Sequence, residues 1–445
     1  MPGKSIVSFL TSSAKIPPIR KGDPKAIRGW IMYDWANSVY QLTISSAIFP
    51  GYYNLVTCRG DDCMVNFLGM KVVNSALYSY TIAAAFLIIG IFSPLLSGLA
   101  DYTGRRKTFM KVFTLIGSIS CMALYFFDSD HITLGIFAFG LGTLGYAGSI
   151  VFYNSFLPVI AAPEDQDRIS ARGYSMGYIG GVVLLLFNLW MILAPGFFGI
   201  AQDSLLPAKI SFLSVGLWWF GFAQITFNRL PKYAYRRRSG KENVILAGYR
   251  EIIKVFKEVR KSFRLSVYLG GFLFMMMGVI TVMFMAASFG TKELKLPNEV
   301  VIPTVLLIQF LGIAGAWFFA RLSGKIGNIP SLLLAIVIWI LICLGAYTIR
   351  SASGFITAAV FIGFVMGGSQ SLARSTYSKM LPETTDHTSY FSFFDVMEKF
   401  ATVFGLALFG FMDSLTHSMR SGVMMLAIFF GISMVFFLVL MKKKK

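Results

Sequence analysis

Long apolar stretches separated by short polar or charged segments recur along the whole chain. Apolar runs of about 20 residues match the length that an α-helix needs to cross the hydrocarbon core of a bilayer. The pattern predicts twelve such spans, at 30–56, 72–99, 108–127, 132–158, 173–196, 209–229, 265–289, 300–320, 331–349, 355–380, 389–412 and 421–441. The chain is therefore expected to be an all-α, multi-pass integral membrane protein.

The composition agrees with this pattern. Hydrophobic residues make up 56% of the 445 residues and charged residues 14%, and the mean hydropathy is +0.67. Soluble domains are nearer a quarter charged. A lipid bilayer is thus the expected surroundings of most of the surface.

The net charge of +19 raises the question of nucleic-acid binding, which the position of the basic residues excludes. If both termini are cytoplasmic, 31 of the 40 Lys and Arg residues lie in inner segments and 7 in outer ones. This bias follows the positive-inside rule, so it predicts orientation rather than a nucleic-acid partner. We expect contact with anionic lipid, cytoplasmic termini and a bacterial inner (plasma) membrane.

The longest polar segment divides the chain into two groups of six spans. We expect a cytoplasmic tail at 1–29, a six-helix bundle at 30–229, a basic linker at 230–264, a second six-helix bundle at 265–441 and a basic tail at 442–445. Apolar residues recur at helical spacing within the linker and basic residues fill the positions between them. This favours an amphipathic helix on the inner membrane surface, with a solvated linker helix as the alternative.

The two halves repeat each other. The segment SGLADYTGRRK at 97–107 closes the second span, and ARLSGKIGN at 320–328 closes the eighth, 223 residues later. Likewise YNSFLP at 153–158 matches YSKMLP at 377–382, with an offset of 224 residues. Parallel repeats of this kind build transporters whose binding site lies between the halves near the bilayer midplane.

The loop after the second span predicts a conformational latch. Gly104 suits a tight turn, and Asp101 can accept hydrogen bonds from a helix N-terminus of the opposite half or pair with a base. We assign gating to Asp101, Gly104, Arg105, Arg106 and Lys107, and also to Arg172. The alternative is a short loop whose bases only set topology. In the second copy Gly324 replaces the acid.

Ionisable residues inside spans are expensive and are functional candidates. There are five: Asp34, Arg374, Asp395, Glu398 and Lys399. Three acids against two bases leave one carboxylate without a fixed partner, and such a group can exchange a proton near neutrality. The structural alternative pairs Arg374 with Asp34 or Asp395 and Lys399 with Asp395 one turn away, and Glu398 then faces inner water.

Polar stripes predict where the cavity lies. Buried amides and hydroxyls must face protein or water rather than acyl chains. Spans one, four, ten and eleven carry such residues, so the candidate substrate or coupling residues are Tyr33, Asp34, Asn37, Tyr40, Gln41, Asn154, Gln370, Arg374, Asp395, Glu398 and Lys399. Gly142, Gly145 and Gly148 are more typical of close helix packing.

No sequence feature indicates an enzyme, a cofactor or a metal site. The chain has no nucleotide-binding loop, and His131, His387 and His417 lie at span ends. Cys58 and Cys63 share a predicted outer loop and could pair, a question that the sequence leaves open. The expected partners are the bilayer and a small solute, with protons or sodium as coupling ions and a monomer as the functional unit.

Several segments together resemble a known family. The loop at 97–107 is similar to the signature between spans two and three of major-facilitator transporters. YDWANSVY at 33–40, YNSFLP at 153–158, RISARGYSMGYIGG at 168–181 and GGSQSLARS at 367–375 resemble the "unknown major facilitator" family, which includes the yeast autophagy-related vacuolar amino-acid effluxer. The family's motif residues fall on Asp34, Asn37, Asn154, Arg172, Gln370 and Arg374, whereas Glu398 departs from its pattern.

The resemblance implies a major-facilitator fold, with twelve helices in two pseudo-symmetric bundles, and export of amino acids or related solutes. We expect alternating access, with Asp34 as the first choice for the proton- or ion-responsive carboxylate. Arg374 would pair with it or anchor a substrate carboxylate. Two alternatives stay open: a transporter of lipids or other amphiphiles, and a transporter-like membrane sensor.

Overall fold

The computed structural model describes residues 21–58, 64–202, 204–231, 244–384, 386–416 and 418–442. The N half contains helices α1 (Pro24–Val39), α2 (Phe49–Thr57), α3 (Asn74–Thr103), α4 (Arg106–Ala123), α5 (Ile132–Asn154), α6 (Leu157–Ile160), α7 (Pro163–Leu193) and α8 (Leu206–Arg229). A linker helix α9 (Val244–Lys261) follows. The C half contains α10 (Phe263–Ser288), α11 (Asn298–Ile326), α12 (Asn328–Thr348), α13 (Ala352–Met380), α14 (His387–Thr416) and α15 (Met419–Lys442).

Ten helices in the described part of the chain are long and apolar enough to cross a membrane. The first and eleventh predicted spans are not among these ten, and each has a local feature that accounts for this. The first is divided into three consecutive helical segments, and the eleventh, α14, carries Asp395, Glu398 and Lys399. Together they complete the twelve-span, all-α fold expected from the sequence, which is confirmed.

The first span changes its helical pitch at the level of the central cavity. A π-helical segment (Tyr40–Ile48) joins α1 to α2. Pro50 near the start of α2 has no N–H to continue the regular ladder, and the Ser46 hydroxyl donates to the Gln41 carbonyl at 2.9 Å. π-helical turns are frequent at functional sites, and this one brings Gln41 and Ser46 to the cavity wall.

Each half has its own apolar core, and the halves meet along two seams. In one seam α7 packs against α11 and α13, and in the other α3 packs against α14. Large apolar side chains such as Leu87, Phe92 and Leu193 are exposed on the outer surface. An exposed apolar surface of this extent is expected to face lipid. The two halves contact each other along the two seams, so the seams are where they can separate.

The two repeated loops share a backbone feature. Gly104 ends α3 with φ at +69°, and Gly327 ends α11 with φ at +90°. Positive φ is easy for glycine and strained for other residues. The sequence repeat therefore marks equivalent sharp turns in the two halves.

The linker forms the predicted amphipathic helix, α9. It packs against α3, and its Val255 and Val259 are buried. Tyr390 of α14 donates its hydroxyl hydrogen to Glu258 Oε2 at 2.6 Å. Its apposition to a membrane surface stays a prediction.

The loop after the first span contains a hairpin that was not predicted from the sequence. Strands β1 (Met64–Phe67) and β2 (Met70–Val73) pair antiparallel around Leu68 and Gly69, which both have positive φ as in a type I′ turn. Cys58 is disulfide-bonded, whereas Cys63, the partner considered above, lies outside the described residues. Cys121 and Cys343 are free and buried.

Candidate functional site

A cavity of about 190 Å³ lies between the two halves. Spans one, four, seven and ten contribute to its wall, and residues of α3, α7, α11 and α14 complete it. Its polar lining consists of Asp34, Asn37, Ser38, Gln41, Ser46, Tyr146, Asn154, Tyr174, Tyr178, Gln309, Gln370, Arg374, Glu398, Lys399 and Thr402. The site is thus a polar chamber shared by both bundles.

An ion pair between the halves forms part of this wall. Arg374 Nη1 on α13 lies 3.3 Å from Asp34 Oδ2 on α1, and both side chains are buried. Arg374 Nε donates to the Ser170 hydroxyl and Nη2 to the Ser170 carbonyl, each at 2.9 Å. The Tyr153 hydroxyl donates to Asp34 at 2.7 Å. Arg374 Nη1 also donates to Asn154 Oδ1 on α5 at 3.4 Å, so Arg374 connects the C half to three helices of the N half.

Aromatic rings and a glycine shape the pocket around this pair. The Arg374 guanidinium carbon lies 4.2 Å from the Tyr174 ring centroid and 4.7 Å from that of Trp30. These distances allow cation–π attraction. A Cβ atom at Gly173 would lie 2.5 Å from Asp34 Oδ2. The backbone can approach the ion pair this closely only because residue 173 has no side chain.

A second ion pair lies within α14. Of the three acids inside the spans, one then remains without a partner in the described part of the chain. Lys399 Nζ is 3.0 Å from Asp395 Oδ1, one turn away. Glu398 faces the cavity. Among the described residues, no basic side chain lies within ion-pair distance of Glu398 and no hydrogen bond to its carboxylate is present. The acid without a fixed partner is therefore Glu398 rather than Asp34.

One end of the bundle, hereafter the latch end, is closed by contacts between the halves. Asp101 at the end of α3 accepts the Ser389 N–H at 2.6 Å and the Thr388 N–H at 3.2 Å. Both amides belong to the first turn of α14, where the helix dipole favours a negative charge. Arg106 holds the same carboxylate from its own half at 2.8 Å. This is the helix N-terminus contact predicted for Asp101.

A second lock at the latch end was missed in the sequence. Asp167 of α7 accepts hydrogen bonds from Ser323 at 2.7 Å and Asn328 at 2.8 Å, and pairs with Lys379 at 2.7 Å. All three partners belong to the C half. Gly324 stands in the second loop where the first has Asp101, so the acid comes from the opposite half instead.

We expect Asp167→Asn to loosen the latch end. The loss of a charged acceptor for three donors should cost about 1–3 kcal/mol, which shifts a two-state equilibrium roughly 5–150-fold. Spin labels at Glu164 and Lys325, exposed positions in opposite halves, would report a population at longer distance. Asp165→Asn is the matched control, because the one ion pair of Asp165 in the described part of the chain is with the exposed Arg168 of its own helix. An unchanged distance distribution in Asp167→Asn would contradict this role.

Eight of the eleven predicted substrate or coupling residues lie on the cavity wall: Asp34, Asn37, Gln41, Asn154, Gln370, Arg374, Glu398 and Lys399. The other three do not. Tyr33 and Tyr40 point into the N half, where their hydroxyls meet Thr114 at 2.7 Å and Thr143 at 2.8 Å. Asp395 is buried behind Lys399. The prediction put these two tyrosines on the cavity side of the helix because they are next to polar residues in the sequence. Being next to such residues does not determine which way a side chain points around the helix axis.

The predicted gating residues also divide. Arg106 supports Asp101 directly, and Arg105 is buried beside it at the turn formed by Gly104. Lys107 instead donates to the Phe227 and Leu230 carbonyls, at 2.8 and 2.7 Å, within the N half. Arg172 is exposed on the outer surface and takes no part in the latch contacts described above.

Tyrosines that connect the cavity walls were not predicted from the sequence. Tyr178 of the N half donates to Gln370 of the C half at 2.8 Å, and Tyr146 donates to Gln41 at 2.6 Å. Tyr174 and Tyr178 lie one turn apart in the segment 168–181. That spacing was the available signal, since it places both rings on one face of α7.

Comparisons with known proteins agree with this architecture. Residues 22–445 match the model of a family described as "Vacuole effluxer Atg22 like". YxiO of Bacillus subtilis, an MFS-type transporter by name, where MFS denotes the major facilitator superfamily, is 26% identical and covers 92% of this chain and 94% of its own length. Autophagy-related protein 22-1 of Aspergillus terreus is 23% identical over 83% of this chain and 75% of its own length. The solved MFS transporter FucP in its outward conformation superposes with a TM-score of 0.68 at 12% identity, covering 94% of this chain and 99% of its own.

Proposed function

Because this chain belongs to the vacuole effluxer Atg22 like family of major-facilitator transporters, we propose that it moves a small polar organic solute across the membrane by alternating access. Amino acids are the first class to test and export is the favoured direction. The observation that carries the proposal is a polar cavity between two halves whose inter-half locks include Asp101 and Asp167 at one end.

The locks explain how access could alternate. Asp101 and Asp167 both bind partners in the opposite half, so both contacts must break when the halves rotate apart at the latch end. Charge-assisted hydrogen bonds of this kind are stronger than neutral ones. The present arrangement is thus a state closed at the latch end, which faces outward if the basic segments are cytoplasmic.

The chemistry of the cavity suits a zwitterion. A carboxylate needs a cation or N–H donors, which Lys399 and Arg374 supply, and an ammonium group needs acceptors, which Glu398 and the amide oxygens of the wall supply. Arg374 is already bonded to Asp34 and Ser170. A substrate carboxylate would therefore compete with Asp34 for the guanidinium, and binding would weaken the contact between the halves.

Glu398 is the group through which we propose proton coupling. It faces the cavity with no basic side chain within ion-pair distance among the described residues, whereas Asp34 is held by Arg374. A carboxyl in such a position can take up a proton without breaking an ion pair. Asp34, favoured from the sequence, would then act as the inter-half contact that responds to substrate.

We expect Glu398→Gln to abolish coupling while retaining exchange, because the Gln amide oxygen cannot titrate but still offers an acceptor to the substrate ammonium group. In proteoliposomes loaded with a mixed amino-acid pool, one pH unit of gradient should sustain about a tenfold solute ratio for one proton per solute. The variant should only equilibrate the pool, yet retain counterflow. Asp165→Asn, which removes a half-buried carboxylate paired only with Arg168 among the described residues, should behave like the wild type.

Two outcomes would revise the proposal. Gradient-driven accumulation by Glu398→Gln would remove Glu398 from coupling and return attention to Asp34→Asn. Absence of flux with every amino acid in the wild type would reject this substrate class, and lipids, other amphiphiles or a sensor role would then take precedence.

A further inference from the structure

A second cavity opens on the outer surface at the seam between the halves. This seam groove has a volume of about 530 Å³ and is lined by Ile31 of α1, Arg172, Ser175 and Met176 of α7, and Ile313, Ala314 and Trp317 of α11. The lining is apolar apart from Arg172 and Ser175. The groove is separate from the central chamber and faces the lipid.

Arg172 is an unusual residue for this surface. It lies nine residues after the start of α7, about 13 Å along the helix axis, and it is exposed. Among the described residues, no acidic group or acceptor lies within ion-pair or hydrogen-bond distance of its guanidinium. Arg168, one turn earlier, is by contrast paired with Asp165 at 2.7 Å. The predicted fifth span begins at residue 173, so Arg172 lies at the level of the lipid headgroups, where an anionic phosphate can meet it.

A second cation lies at the edge of the same groove. The Arg321 guanidinium lies over the ring of Trp317, which forms part of the groove wall. Arg321 is five residues from the end of α11, so it is nearer the latch end than Trp317. The groove thus offers positive charge towards one membrane surface and an apolar channel towards the interior.

We propose that the seam groove binds an anionic phospholipid, with the phosphate on Arg172 and an acyl chain along Met176, Ile313 and Ala314. Charge complementarity selects an anionic headgroup, and the position of the groove in the lipid-facing surface selects a membrane lipid over a soluble anion. Basic pockets between membrane helices bind anionic headgroups on the same physical grounds.

The bound lipid would also stabilise the state closed at the latch end. The groove is formed by α7 of the N half and α11 of the C half, so a lipid in it contacts both bundles. Arg172 is adjacent to Gly173, whose backbone lies close against the Asp34–Arg374 pair. Separation of α7 from α11 would divide the lipid site. Lipid binding itself does not rest on the identity of the transported solute.

The test compares phosphatidylglycerol with phosphatidylcholine of the same acyl chains. The full chain is purified in detergent, incubated with equal amounts of the two lipids, passed through size exclusion and analysed for retained lipid by mass spectrometry. The wild type should retain phosphatidylglycerol in preference. Arg172→Gln should lose this preference about tenfold, which is the order expected for charge-assisted hydrogen bonds. Arg168→Gln is the control and should retain it.

A second variant keeps the proposal testable if Arg172→Gln folds poorly. Ala314 is exposed in the groove, so Ala314→Trp should fill the acyl-chain channel, keep Arg172 and still reduce lipid retention. Phosphatidylglycerol should shift the distance distribution between labels at Glu164 and Lys325 towards the closed form in the wild type but not in Arg172→Gln. Equal retention of the two lipids by the wild type would overturn the proposed lipid site. Undiminished retention of phosphatidylglycerol by both Arg172→Gln and Ala314→Trp would overturn it as well. Retention without the distance shift would overturn the stabilising role.

Discussion

Replacing Asp101 with Asn is expected to open the latch end. The carboxylate accepts the Thr388 and Ser389 amides of the C half, and each hydrogen bond to a charged acceptor contributes about 1.5–3 kcal/mol. The Arg106 contact lies within the N half. Its loss therefore destabilises the closed and open states alike and does not change the equilibrium between them. The conformational shift should therefore reflect the two α14 amides.

The measurement is the distance distribution between labels at Glu164 and Lys325 in detergent and in nanodiscs. Asp101→Asn should give a dominant longer distance, together with lower solute counterflow because the closed state becomes rare. Asp101→Glu keeps the charge and should restore part of the closed population, whereas Asp165→Asn should match the wild type. A closed distribution in Asp101→Asn would mean that the loop sets topology only.

Replacing Arg374 with Gln should have the largest effect on both stability and transport. It leaves Asp34 buried without its base, and breaking a buried pair in this way typically costs about 3–5 kcal/mol. It also removes the donors to Ser170 that connect α13 to α7. We expect a large fall in thermal unfolding temperature and no measurable flux.

The double variant Asp34→Asn/Arg374→Gln separates these two effects. Removal of both charges eliminates the uncompensated buried carboxylate, so unfolding temperature should recover towards that of the wild type. Flux should not recover, because the cavity still lacks its guanidinium. Arg374→Lys should have an unfolding temperature and a flux between those of the wild type and Arg374→Gln. Its ammonium keeps the charge but lacks the planar guanidinium that bonds Asp34 and Ser170 at the same time. A stable, active Arg374→Gln would show that the pair is dispensable.

Some of the site could be predicted from the sequence because the bilayer restricts composition so strongly. A charged residue in an apolar run is conspicuous, which identified Asp34, Arg374, Glu398 and Lys399 before any contact was known. Two interpretations of these charges nevertheless stayed open, since counting acids and bases does not show which of them pair. The structure pairs Arg374 with Asp34 and Lys399 with Asp395, and leaves Glu398 facing the cavity.

The sequence by itself determined the twelve spans, the division into halves and the latch loop around Asp101. Each is a local property, because span length, apolar composition and a turn-forming glycine are set within a few tens of residues. Only the tertiary structure decided which faces meet. Asp34 and Arg374 are 340 residues apart, Asp167 supplies an acid at the second loop, where Gly324 stands in place of one, and Arg172 is exposed in the seam groove rather than bonded at the latch end. Such contacts depend on how each helix is rotated and on how the two halves pack together. The sequence of a single span determines neither.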